Sequence, residues 1–329
     1  MKALTVQADG DKWKLKFEEK QIPEVSGEVC LVKLKAAALN RRDYWISVGK
    51  YPGIKSGATL GSDGSGEVVK GPDAWIGKKV WINPNISWGD NPDVQASNYT
   101  ILGTPEDGTL AEYLAVSADR LVEIPSHLDF SEAAAIPLAG LTAYRAAFTK
   151  AQIKTGDKIL ITGIGGGVSQ FATQFAIAAG ADVYVNSSSE EKLERAMKMG
   201  VKAGFNYKEE GWLKEAAAHG KFDAVIDSAG GNAINNYLKL VKPGGIIVIY
   251  GSTTGRPEQI DLFRLFWSQV SIVGSTMGND EEFSQMTQFV ADHEIQPTID
   301  KTYPFSEGIE AIQSMASSDQ FGKVLIQIA

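Results

Sequence analysis

The sequence predicts an α/β fold in which a doubly wound parallel sheet interrupts a strand-rich domain. Three observations carry that prediction. The chain has 329 residues, long for one hydrophobic core, so two domains are the prior. Residues 1–120 alternate apolar and polar side chains between Gly, Pro and Asp breaks, which is strand character. From about residue 128 short apolar strands alternate with helical segments, and that rhythm requires a parallel sheet covered on both faces.

Taken in order, KALTVQ, KLKFEEK and EVCLVKLKAAAL read as strands. The stretch 83–108 is crowded with Asn, Pro, Gly and Asp and reads as a long irregular loop. TLAEYLAV and DRLVEIP resume strand character, closing a first domain at 1–124. FSEAAAIPLAGLTAYRAAF is helical, with Ser131 as N-cap and Glu132 in the first turn. Six strands follow: KILIT, ADVYV, AGFNY, FDAVIDS, GIIVIY and VSIVGS. Helical segments VSQFATQFAIAA, SEEKLERAMKM, EEGWLKEAAAH and NAINNYLKLV lie between most of them, and this second domain spans 125–290. TYPF, a helix around EGIEAIQSMASS and the strand GKVLIQI remain, and 291–329 is expected to rejoin the first domain.

Composition narrows the function. The net charge is −8 and no Lys/Arg stripe stands out, which argues against nucleic acid as a partner. No run of about 20 apolar residues exists to span a bilayer. The opening MKALTVQADGDKWKLKF lacks the apolar core of a signal peptide. Cys30 is the only cysteine, which excludes an internal disulfide and any cysteine-rich zinc site. A cytoplasmic location fits these features.

The first strand of the alternation runs into Thr162-Gly-Ile-Gly-Gly-Gly-Val-Ser169 and then into a helix. Glycines let the backbone approach a pyrophosphate, and a helix N-terminus offers unpaired N–H groups and the positive end of its dipole. The frame is Gly163-x-x-Gly166-x-x-Ser169, with Gly165 and Gly167 as further small residues. Ser169 stands where a third glycine would pack helix on strand, and its side chain is expected to push the helix slightly outward. The second strand ends in Asn186-Ser187-Ser188-Ser189, without the Asp or Glu that would bond an NAD ribose. Hydroxyls with Lys192 nearby suit a 2′-phosphate, so the turn predicts NADPH, with Glu190 and Glu191 as opposing charges.

With the segments AAAIPLAGLTAYRA, SSSEEKLERAMKMG and YGSTTG added to that turn, the chain resembles the medium-chain dehydrogenase/reductase superfamily over its whole length. It is most similar to the zinc-free quinone oxidoreductase and enoyl reductase branch. The resemblance implies a Rossmann domain inserted in a GroES-like catalytic domain, and a homodimer joined along the sheet edge, here VSIVGS. It implies Thr142 beside the nicotinamide carboxamide, and Gly165, Gly166, Gly167 and Val168 around the pyrophosphate. Ser187, Ser188, Lys192 and Tyr207 would surround the adenosine phosphate, while Gly251, Ser252, Gly274 and Ser275 end strands five and six at the crevice. Lys323 would either reach the cofactor from the returning segment or stand as a solvated lysine at a strand start.

Zinc-bearing relatives place Cys, a His-Glu pair and a further ligand where this chain has Asn40, Ser62-Asp63 and Leu138. Asn, Ser and Leu do not make a catalytic zinc site, so no metal is expected. Without a Lewis acid, hydride transfer to an electron-poor carbon is favoured over alcohol oxidation. The substrate is expected to be an alkene conjugated to a carbonyl, or a quinone. Asn40 is a candidate donor to its carbonyl; Tyr51, or its rival Tyr44, is a candidate proton donor. Arg41, Arg42 and Asp43 read as a surface charge cluster, with an inward Arg42–Asp43 pair as the alternative. Two alternatives stay open: a zinc-free alcohol or aldehyde oxidoreductase, and a non-catalytic NADPH-binding sensor. A short-chain reductase is excluded, because the only Y-x-x-x-K, Tyr51 to Lys55, contains Pro52-Gly53 and precedes the glycine turn.

Overall fold

Residues 1–317 and 319–329 are described by a computed structural model. The chain forms two compact units: Met1–Ala139 with Asn279–Ala329, and Gly140–Gly278 inserted between them.

The inserted unit holds the six expected strands, all parallel. Lys158–Ile161 lies inside the sheet, with Asp182–Ser187 and Ala203–Asn206 on one side and Phe222–Asp227, Val241–Ile249 and Ser271–Gly274 on the other. In chain order this is 3-2-1-4-5-6, so the sheet changes direction beside its first strand. Helices Gly167–Ala178, Glu190–Met197, Trp212–Ala218 and Ile234–Leu240 form the crossovers. Buried Leu160, Phe205, Phe222, Val225 and Ile247 form one of its cores, each large side chain contributing about 1.5–3 kcal/mol by leaving water. The helix Leu262–Trp267, which the sequence reading did not name, is capped by the Asp261 side chain on Arg264 N and lies immediately before the edge strand.

The other unit is built on a seven-stranded sheet whose central path runs Ile299–Pro304, Lys323–Gln327, Val29–Ala38, Asp63–Lys70, Lys79–Ile82 and Leu121–Glu123. The C-terminal segment does return here, as an antiparallel neighbour of Val29–Ala38 with Leu325 opposite Ala38. On the other flank Asp63 stands opposite Ala38. Residues from positions 38–40, 63 and 323 are thereby gathered at one end of three adjacent strands.

Four expectations change. The unit boundaries fall at 139/140 and 278/279 rather than 124/125 and 290/291. Helix Phe130–Ala135 belongs to the first unit because its buried alanines pack on strands Val29–Ala38 and Asp63–Lys70. Helix Asp280–Asp292 belongs there because Phe283 meets Trp81 edge-on at 6.3 Å and Asp280 takes two hydrogen bonds from Arg120, at 2.6 and 2.7 Å. The cap of the first of these helices is Asp129, not Ser131: Asp129 Oδ1 accepts Glu132 N, and Glu132 accepts Asp129 N, each at 2.8 Å. Finally, Arg42 and Asp43 are not surface charges; they are 8% and 0% exposed in the helix Arg41–Ser47.

Candidate functional site

Each unit carries a constellation of functional side chains. In the inserted unit it lies at the carboxyl ends of the strands. Gly163 follows the first strand with φ +63°, a conformation that favours glycine. Its N–H donates to Asn186 Oδ1 at 2.9 Å, while Ile164 N donates to the Asn186 carbonyl. The end of strand two therefore holds the turn after strand one. Ser169 Oγ lies 2.7 Å from the carbonyl oxygens of both Gly163 and Gly166, its one hydrogen serving either, and is fully buried. The hydroxyl expected to push the helix away ties the turn to it instead. Gln170 Nε2 adds a 2.7 Å bond to Ile164 O.

Helix Gly167–Ala178 starts after Gly166 with no side-chain cap. Elsewhere Asp129, Ser189, Asp261 and Asn279 cap helices with their side chains. The helices that start after Gly211, Ala233 and Glu307 also lack a side-chain cap; what sets this one apart is the glycine turn before it, which leaves the first-turn N–H groups from Gly167 and Val168 onward open to an anion. Beneath the turn, buried Asp227 accepts Thr162 Oγ1 at 2.6 Å and Gly230 N at 2.7 Å. Burial beside this carboxylate pushes the Tyr237 phenol far above its ordinary range.

The other predicted cofactor residues are placed as follows. Ser187 is buried and its Oγ accepts Ser189 N at 3.2 Å; Ser188 is half-buried; Lys192 is half-buried in the first turn of the next helix. Tyr207, 46% exposed, hangs beside them with its N–H on Ser187 O. Glu190, the anticipated opposing charge, is turned onto Asn206, whose Nδ2 donates to it at 2.6 Å. Gly251 has no room for a side chain: a Cβ would lie 2.8 Å from Ser228 O. Ser252 is exposed, a Cβ on Gly274 would meet nothing, and Ser275 Oγ is buried without a partner. Thr142 is buried, its Oγ1 3.8 Å from Met277 Sδ. An uncapped helix start, a glycine cradle and a solvent-facing aromatic ring fit a dinucleotide.

In the other unit, Asn40, Asp63 and Lys323 form a buried triangle. Lys323 Nζ lies 2.7 Å from Asn40 Oδ1 and 2.9 Å from Asp63 Oδ2; Asn40 Nδ2 donates to the same Asp63 oxygen at 2.9 Å. Asp63 Oδ1 accepts Leu138 N at 2.7 Å. This corrects the expectation for Lys323. It is 3% exposed and its ammonium is committed to a carboxylate that has no exposure at all, so it is neither a solvated lysine nor a free arm for the cofactor. The register explains the placement: two residues before Leu325, which faces Ala38, Lys323 comes level with Asn40.

A second cation sits alongside. Arg42 Nη1 donates to Ser62 Oγ at 2.5 Å and to Leu102 O at 2.6 Å, and Nη2 donates to Thr104 O at 3.3 Å. Its Nε donates to the Tyr51 hydroxyl at 3.3 Å, and the guanidinium lies 4.8 Å from the ring centre. A phenol whose oxygen accepts from a cation keeps its own hydrogen for another acceptor. Tyr44 packs on the apolar core and on Trp45, ring centres 5.2 Å apart. Asp43 Oδ2 accepts Asn40 N at 2.8 Å, while Oδ1 is buried without a partner. Burial pushes the Asp43 carboxyl above the usual range, against the opposing pull of Arg42. Sequence reasoning named Asn40 and Tyr51 but missed Arg42, Asp43 and Asp63 as members of this site.

Residues 26–126 match the alcohol dehydrogenase GroES-like domain, and residues 167–292 match the zinc-binding dehydrogenase family. The chain is 37% identical to the zinc-type alcohol dehydrogenase-like protein YogA of Leptosphaeria maculans, over 91% of this chain and 90% of that protein. It is 31% identical to the 2-methylene-furan-3-one reductase of Solanum lycopersicum, over 99% of this chain and 79% of that protein. Among solved structures, an NAD-dependent alcohol dehydrogenase superposes with a TM-score of 0.93 at 33% identity, covering 100% of both chains.

Proposed function

The chain belongs to the medium-chain dehydrogenase/reductase superfamily, and from that premise we propose that it is an NADPH-dependent, zinc-independent reductase of alkenes conjugated to a carbonyl, or of quinones. The coarser statement, an oxidoreductase of this family served by a nicotinamide cofactor, stands on the relatives themselves.

The observation that carries the finer reading is the pair of buried cations. The family description implies zinc, but the donor set does not fit it. Asn40 Oδ1 is taken by the Lys323 ammonium, Ser62 Oγ by the Arg42 guanidinium, and Leu138 has no ligand atom in its side chain. A metal ion placed there would meet two positive charges at close range. Among the described residues no group of three or more His, Cys, Asp or Glu is arranged to hold a metal ion.

When bound, the reduced nicotinamide supplies a hydride to the β-carbon of the acceptor. This chain's own residues then have two tasks. Asn40 donates its second amide hydrogen to the carbonyl oxygen, where negative charge gathers. Tyr51 gives its hydroxyl proton to the resulting enolate, and Arg42 steadies the phenolate left behind. Coenzyme choice follows from Ser187, Ser188 and Lys192 at the end of strand two, with Glu190 drawn off onto Asn206. Tyr207 offers a face to the adenine. We also propose a homodimer formed at the Ser271–Gly274 edge, where the preceding helix exposes Leu262, Phe263, Phe266 and Trp267.

Steady-state oxidation of NADPH and NADH against enones, enoyl thioesters, quinones and aldehydes tests this. NADPH consumption with conjugated acceptors, abolished for NADPH more than for NADH by Lys192→Glu, is the expected result. Activity confined to aldehydes, or to alcohols with NAD⁺ as in the similar alcohol dehydrogenase, refutes it. Tight NADPH binding with no turnover on any acceptor favours a sensor.

A further inference from the structure

We propose that Lys323 and Asp63 are positioning residues that lock the Asn40 amide in one rotation, so that it meets substrate only as a hydrogen-bond donor. The inference rests on reading Asn40 as the carbonyl donor. The two ends of an asparagine amide are nearly equal in size, so sterics alone do not choose between its two orientations. Here charge chooses. The Lys323 ammonium, which has only hydrogens to offer, stands 2.7 Å from Oδ1. The Asp63 carboxylate, which accepts when ionised, stands 2.9 Å from Nδ2. Rotating the amide by half a turn sets N–H against N–H on one side and oxygen against oxygen on the other.

The lock is itself held. Asp63 Oδ1 is fixed by Leu138 N and its Oδ2 by Lys323, while Asn40 N is pinned to Asp43 Oδ2. Asn40 keeps a second amide hydrogen and 7% of its surface exposed, so the donor is oriented but not sealed away. An ammonium on the amide oxygen also withdraws density from the nitrogen, which makes the remaining N–H a stronger donor. The cation thus acts on the substrate oxygen through Asn40 without touching it.

The test compares Asn40→Ala, Lys323→Met, Asp63→Asn and the double variant Lys323→Met/Asp63→Asn, by thermal melting and by kcat and KM with NADPH and an enone. Each single change at the pair leaves a buried group unmatched and lowers Tm. The double variant removes both charges, and its Tm recovers. In it the amide introduced at position 63 can donate to Asn40, which flips and turns its oxygen outward. Its kcat therefore stays low, about 100-fold below wild type as for loss of an oriented donor, with KM for NADPH unchanged. Recovery of kcat together with Tm overturns the proposal, because the pair is then merely structural. Full activity of Asn40→Ala overturns it too, while leaving the reductase reading intact. A wild-type chain that turns over no acceptor takes both down.

Discussion

The exposed aromatic helix before the sheet edge gives a prediction with a calculable size. Leu262, Phe263, Phe266 and Trp267 are 65%, 65%, 63% and 72% exposed. Phe263 stacks on Trp267 with ring centres 5.9 Å apart and meets Phe266 edge-on at 5.3 Å, so the three rings form one surface. A large aromatic side chain offers about 150–250 Å², so two-thirds exposure leaves about 100–170 Å² on each ring. The rings alone make a patch of about 400 Å² per copy, at the size that marks an interaction surface. Two such patches, with the neighbouring backbone edge, approach the area of a specific interface, about 1,200 Å². Replacing Phe263 and Trp267 by Lys removes two of the three rings, about two-thirds of the patch, and sets like charges against each other. At about 25 cal/mol per Å², retaining even a fifth of the lost burial weakens association by about 2–3 kcal/mol, or 30- to 150-fold. Sedimentation velocity from low to high micromolar protein reads this directly. Wild type should sediment as a dimer and the double variant should dissociate within the range. A wild type that stays monomeric throughout, or a variant dimer of unchanged affinity, refutes the reasoning.

Three smaller predictions follow from the sites. Asn186, only 2% exposed, holds the Gly163 N–H, so Asn186→Ala loses that hydrogen bond and unfolding should become easier by about 1 kcal/mol, while NADPH affinity should fall about tenfold or more. Fluorescence titration that finds NADPH binding unchanged would remove Asn186 from its role in shaping the turn. Gly251→Ala must move the Ser228 carbonyl, costing about 1–3 kcal/mol, and a melt indistinguishable from wild type would show that strand end to be loose. Asp43 gives a pH dependence. Its pKa is higher folded than unfolded, so the folded chain binds the proton more tightly. Its contribution is most favourable at acid pH, and is lost as pH rises out of the carboxylate range. Asp43→Asn should therefore melt higher than wild type at pH 7, with the gap closing toward pH about 4. A gap that is constant, or widens on acidification, contradicts this.

What the sequence disclosed was whatever depends on near neighbours. The six strands of the inserted sheet and their crossover helices were readable because period and turn residues lie within a few positions of one another. The helix Leu262–Trp267 was not, because LFRLFW is apolar nearly all round and shows no polar face. Asp129 and Ser131 are both good caps, and the contest is decided by Glu132, which lies three residues after Asp129 and so completes a reciprocal pair only with it. The ends of the compact units were hidden for a different reason. Nothing near residue 280 announces that Asp280 and Phe283 answer to Arg120 and Trp81, about 160 and 200 positions earlier.

The same distinction explains the catalytic cluster. That Asn40, Ser62 and Leu138 stand where zinc-bearing relatives carry ligands is what the resemblance implies from local segments. The partners of Asp63 are not local. Asp63 has no exposure, and a buried carboxylate without a countercharge is costly enough to unfold or neutralise it. Some cation must therefore lie against it, and the sequence offers no nearby residue with that duty. The register of the returning strand supplies it: Leu325 faces Ala38, Asp63 faces Ala38 from the other side, and Lys323 arrives between Asn40 and Asp63. Arg42, by contrast, meets a neutral partner, donating to Ser62 Oγ. Where a buried acid lies at a strand end, the lysine or arginine that neutralises it belongs to the same cluster, however far away in the chain it lies.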